Sequence, residues 1–194
     1  QALESKGKSP HVLIMTATPI PRTMALSVYG DLDVSFIKGM PPGRHPVKTY
    51  AVGSYMLQRI FRFMKKEMES GHQAYVVCPL VEQSEKQDLA AAVSVYENLR
   101  DHVFPQFGVG LVHGRMKNAE KEQVMEDFRK GKFKLLVATS VIEVGVNVPD
   151  ATVMFVYGAD RFGLSQLHQL RGSVGRGKEQ AYCVLYTDNQ NETT

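Results

Sequence analysis

From Val47 onward, short runs of β-branched and aromatic residues alternate with longer segments of helical period. No other feature constrains the fold as strongly. Strands buried on both faces read as near-continuous apolar runs, whereas the helices between them place apolar residues every three or four positions. The strand-like runs are 47–52, 74–78, 109–113, 134–139, 152–157 and 181–186. Such alternation predicts an α/β domain over residues 46–194, a doubly wound parallel sheet with helices on both faces.

The helices have their own signals. Met56, Leu57, Ile60, Phe61, Met64 and Met68 form one stripe, with Ser54 placed to cap the helix and Gly71 to end it. Ser84 and Gln87 suit a capping box for a second helix with Leu89, Val93, Tyr96 and Leu99 inward. A third helix is expected from Asn118 to Lys130, stopping at Gly131, and a fourth around 164–170. The first 45 residues differ: six of the nine prolines fall within the first 46 positions, around one strand-like run at 12–15. This part cannot bury a core alone, and Pro41-Pro42-Gly43-Arg44 reads as an extended linker. Gln1 in place of an initiating Met predicts a piece of a longer chain.

Composition excludes several classes. With 194 residues, 43% hydrophobic and a formal charge of +3, the chain is an ordinary globular protein rather than a disordered or disulfide-framed one. Cys78 and Cys183 each sit in an apolar run and read as core thiols of a reducing, cytoplasmic compartment. No apolar stretch approaches the ~18 residues of a membrane span, so no membrane partner is expected.

Gly172 to Glu179 imitates a P-loop, G-x-x-x-x-G-K-[ST], but Glu179 stands where a hydroxyl should hold magnesium. The run also follows a helix and enters a strand, the reverse of P-loop order. The six histidines show no metal-ligand spacing, His168 reads as a packing or hydrogen-bonding residue, and no metal site is expected. What remains are polar segments where strands end, the edge at which open α/β sheets bind ligands. His113-Gly114-Arg115 follows one strand, and Thr139-Ser140 with 141–149 follows another. Residues 161–177 carry Arg171 and Arg176 among glycines before the last strand. Arginine forks match phosphate oxygens and glycines admit them closely, so an anionic ligand is expected.

TATPIPRT (16–23), VIEVGVNVP (141–149) and QLRGSVGRG (169–177) resemble the third, fifth and sixth motifs of superfamily 2 helicases. PPGR (41–44), CPLVEQSEKQDL (78–89), HGRMKNAEKEQVMEDFRKG (113–131) and RFGLSQLHQLRG (161–172) resemble, within that superfamily, the RecG family of bacterial DNA helicases. The resemblance implies a RecA-like second helicase lobe over 46–194, the P-loop NTPase type of sheet. It makes residues 1–45 the end of a first lobe and its linker.

By that resemblance Arg176 is the arginine finger, with Gln169 and the family's arginine position, here Ser173, beside it. Gly145, Asn147, Arg171 and Gly172 would face ATP. Thr139, Ser140, His113, Gly114 and Arg115 would grip the DNA backbone, and Thr16 and Thr18 would couple the two. The partners implied are branched or forked DNA, bound without sequence preference, and the first lobe in cis. ATP and Mg2+ would serve the full-length protein, with Mg2+ held by the first lobe. No full P-loop pattern and no Asp-Glu dipeptide occurs here, so the fragment is expected to need no cofactor and to be inactive alone. The chain departs from the family at Ser173, normally arginine, and at Asn147, normally aspartate. Those departures motivate an alternative, a non-catalytic DNA- or protein-binding adaptor on a degenerate lobe.

Overall fold

The structure is a computed structural model, and it describes residue 35 and residues 45–80, 85–139 and 148–188. Among the described residues, six strands and four α-helices follow in the order β1 (Lys48–Val52), α1 (Leu57–Glu69), β2 (Gln73–Cys78), α2 (Glu85–Asn98), β3 (Val109–Val112), α3 (Asn118–Arg129), β4 (Leu135–Thr139), β5 (Ala151–Val156), α4 (Leu164–Gly172) and β6 (Tyr182–Tyr186). All pairings are parallel, in the order β1-β6-β5-β2-β4-β3. The doubly wound reading holds.

Burial follows from position in that order. Every residue of β2, β4 and β5 is buried, as expected for strands covered on both faces. β1 departs from that expectation: among the described residues it pairs only with β6, and Lys48 to Ala51 are exposed. One core face packs Met125 and Phe128 of α3 and Leu170 of α4 against Leu136, Met154 and Cys183. The other packs Ile60, Met64 and Met68 of α1 with Ala92 of α2 against Val76, Val137 and Phe155. Both cysteines are buried free thiols.

Helix ends confirm most of the punctuation. Gly71 (φ 96°) and Gly131 (φ 73°) take left-handed conformations just past α1 and α3. Glu120 accepts from the Lys117 backbone N–H at 3.1 Å, opening α3. Ser54 does not cap α1. It begins a short 3-10 turn, 54–56, in which the Met56 N–H bonds the Gly53 carbonyl at 3.0 Å, so backbone supplies the acceptor. The expected face of α2 is corrected in part: Asp88 and Ala92 are buried and Leu89, Val93 and Tyr96 only half-buried, while Leu99, buried as expected, lies just past the helix. Ser84 lies outside the described residues.

Candidate functional site

The carboxyl ends of β3 and β4 bring two of the expected residues together. Val112 pairs with Ala138, so His113 and Thr139 are the next neighbours along the two strands. By alternation from Leu111 and Val137, both side chains turn to the α1–α2 face. Thr139 is 1% exposed. Its Oγ1 and the Nδ1 of His113 are buried without a hydrogen-bond partner. Buried polar atoms are nearly always paired, so two orphans on adjacent strand ends single out this edge of the sheet.

Lys121 and Arg115 place positive charge beside His113. Lys121 of α3 donates from Nζ to the Gly114 carbonyl at 2.8 Å, which fixes the turn after β3. Gly114 is half-buried and Arg115 exposed. His113 titrates below the usual imidazole range, because burial disfavours its cation and because Lys121 and Arg115 repel it; Glu120 opposes. The ring is therefore neutral near pH 7.

The second group lies where α4 runs toward β6. Gln169 is exposed and Arg171 half-buried, the latter 3.2 Å from His168 Nδ1. Gly172 is exposed. Ser173 is 6% exposed and donates from Oγ to the Gln169 carbonyl at 3.0 Å, turning back onto its own helix. Arg176, exposed, sits on a loop gripped at both flanks. A Cβ on Gly175 (φ +71°) would meet that of Ala181 at 2.9 Å, and one on Gly177 would meet the Pro149 carbonyl oxygen at 2.6 Å. The loop is thus seated against the exit of the 141–149 segment. The P-loop-like run lies between α4 and β6, helix first and strand second.

Thr16, Thr18, Ser140, Gly145 and Asn147 lie outside the described residues. Among the described residues, no three His, Cys, Asp or Glu side chains gather where a metal could be held, and no helix is long and apolar enough to cross a membrane.

Sequence reasoning missed two features. The Tyr75 hydroxyl is buried and unpartnered, its pKa pushed up to about 12 by burial while Arg176 pulls the other way. At the carboxyl ends of β2 and β5, a cavity of about 410 Å³ is lined by Cys78, Pro79, Asp88, Tyr157 and Arg161 among others. Asp88 and Arg161 are bonded across 73 positions of chain, a partnership that spacing cannot signal.

Residues 55–178 match the helicase conserved C-terminal domain. The chain is 53% identical over 191 residues to the ATP-dependent DNA helicase RecG of Bacillus subtilis, covering 98% of this chain and 28% of that one. A solved structure of RecG bound to a three-way DNA junction superposes with a TM-score of 0.75 at 47% identity, over 91% of this chain and 23% of that one. A leucine-to-valine variant of S. cerevisiae Dbp5, bound to RNA and ADP BeF3, superposes with a TM-score of 0.61 over 88% of this chain and 42% of that one. At 13% identity its likeness concerns the fold alone. The chain spans about a quarter of the length of the RecG relatives it matches, 28% and 23% in two cases.

Proposed function

This chain belongs to the family of the helicase conserved C-terminal domain and has its RecA-like fold, and from that premise we propose that it is the second motor lobe of an ATP-dependent DNA helicase. The whole protein would act in the cytoplasm on branched or forked DNA during recombination and repair. Residues 46–194 form that lobe, and residues 1–45 belong to the end of the first lobe and the linker.

The observation that carries the reading is Arg176, an exposed guanidinium on a loop seated tightly through Gly175 and Gly177. When bound, ATP would donate its γ-phosphoryl group to water and leave as ADP, with Mg2+ offsetting charge, a reaction catalysed mainly by positioning and charge. A fixed arginine facing the γ-phosphate from a second lobe contributes about 10³–10⁵ in rate. Gln169, Arg171, Gly172, Gly145 and Asn147 would bind the same nucleotide, and the first lobe would hold the metal. Thr139 Oγ1 and His113 Nδ1, with Ser140, Gly114 and Arg115, take DNA phosphates. Such contacts read the backbone, so binding is independent of sequence and weakens steeply with salt. Thr16 and Thr18 couple nucleotide state to that grip.

In the full-length protein, Arg176→Ala should abolish DNA-stimulated ATP hydrolysis while branched-DNA binding persists. The 194-residue chain alone should bind DNA and hydrolyse no ATP; hydrolysis by the purified chain sinks the reading.

The buried, self-bonded Ser173 favours a second reading, because no guanidinium reaches the nucleotide from that position. Under it the lobe is an adaptor that binds DNA or protein without catalysis. Joining the chain to an intact first lobe separates the two. If neither the Ser173 protein nor Ser173→Arg turns over ATP while both bind branched DNA, the adaptor reading holds.

A further inference from the structure

We infer that Asp88 and Arg161 form a strut that sets the pitch of α4 and thereby aims Arg176, making both positioning residues for hydrolysis. The inference rests on the role of Arg176 proposed above.

The bond joins opposite layers of the molecule. Asp88 lies on α2, whose Ala92 packs into the α1–α2 core face. Arg161 ends a short 3-10 turn, 159–161, between β5 and α4, and α4 packs on the other face through Leu170. Arg161 Nη2 donates to both carboxylate oxygens of Asp88, at 2.9 and 3.1 Å. An exposed ion pair holds little, since water screens it. Here the carboxylate is only 6% exposed while the guanidinium is 41% exposed, so water screens the pair from one side only, and the contact to both oxygens holds its geometry. The same turn is tied on its other flank, where Thr187 Oγ1 donates to Asp160 Oδ1 at 2.8 Å.

α4 needs such a hold. α1 fully buries Ile60, Met64 and Met68, whereas α4 fully buries only Leu170, with Leu167 partly buried against the same core, and begins at the exposed Leu164. That is a lighter hold than α1 has, and the remaining anchors are Phe162 just before the helix and Val174 just after it. Its entry is fixed by the 159–161 turn, and its exit leads through Ser173 to Arg176. At ~1.5 Å per residue, α4 is a lever of roughly 13 Å, so a tilt of about 5° moves its far end by about 1 Å. A displacement of that size is enough to lower a rate by about 10²-fold.

The test uses the full-length protein for kinetics and the 194-residue chain for exchange. Arg161→Gln leaves a buried carboxylate without its guanidinium and should lose stability as well as rate. Asp88→Asn/Arg161→Gln removes both charges, which restores stability but not the strut. The double variant should therefore melt near the wild type, yet show kcat reduced about 10- to 100-fold with KM for ATP and DNA affinity within about twofold, the pattern of an interaction made only in the transition state. Arg161→Lys should recover part of that loss. In the 194-residue chain, the double variant should exchange amide hydrogens faster over residues 164–177 and unchanged over 73–78 and 135–139. A double variant with wild-type kcat overturns the inference, as does unchanged exchange over 164–177. Absence of DNA-stimulated ATPase in the wild-type protein counts instead against the lobe reading, and the exchange result then decides the strut by itself.

Discussion

Gly177 and Pro149 approach so closely that a Cβ on the glycine would stand 2.6 Å from the proline carbonyl oxygen. The obstacle is backbone, which cannot swing aside as a side chain could. Gly177→Ala should therefore push the loop carrying Arg176 off the 148–150 turn while the sheet stays intact. We expect a full-length Gly177→Ala protein to fold, to bind DNA near normally, and to lose about 10²-fold in ATP turnover. Wild-type turnover would show that the loop's seat is irrelevant to Arg176.

Tyr75 gives a stability prediction of opposite sign. Its ring packs edge-on to Phe128 with centroids 5.0 Å apart, while its hydroxyl is buried without a partner. Removing an unsatisfied polar atom and keeping the ring should help. Tyr75→Phe is expected to gain about 1 kcal/mol, a rise in Tm of about 2–4 °C for a chain of this size. Thermal unfolding measures it, and a loss of stability would mean that the hydroxyl is bonded in solution.

Gln73 shows the reverse case. It is buried at the start of β2, and its Nε2 donates to the carbonyls of Phe128 at 2.7 Å and Phe133 at 3.2 Å. These carbonyls lie at the end of α3 and just before β4, so one amide joins three elements. Gln73→Ala strands both acceptors in the interior and should lower stability by about 1–3 kcal/mol in urea unfolding. Gln73→Glu should be worse, since it presents carboxylate oxygens to carbonyls.

These residues also show what the sequence could and could not reveal. Runs such as Gln73–Cys78 and Leu135–Thr139 are legible as doubly covered strands, because burial on both faces demands unbroken apolar character. The stripe through Ile60, Met64 and Met68 is legible for the same reason at helical period. Strand order is not: nothing in the periodicity of β2 says that β4 and β5 flank it. The inward face of α2 misleads because Asp88 looks like a solvent-facing charge, yet Arg161, 73 positions away, lets it be buried. His113 and Thr139 are legible as strand-end polar residues. That they stand side by side with unpaired atoms depends on the register of β3 against β4, which only the fold supplies.

His113 ties the fold to the proposed DNA grip through pH. Its folded pKa lies below the ordinary 6.5, chiefly from burial and then from Lys121 and Arg115. The unfolded chain therefore binds the proton more readily than the folded one, and stability rises with pH across that window. As pH falls from 6.5 toward the folded value, this contribution is lost; His113→Gln should show a flatter fall in Tm as the pH drops below about 6.5. A DNA phosphate against the ring reverses the sign, because an anion favours the imidazolium. Binding then takes up a proton, so affinity for branched DNA should increase as pH falls through the same window, with His113→Gln flat. Anisotropy titrations at fixed ionic strength separate the outcomes. If DNA affinity ignores pH while stability follows it, His113 is a buried core imidazole and the phosphate path runs elsewhere along the sheet edge.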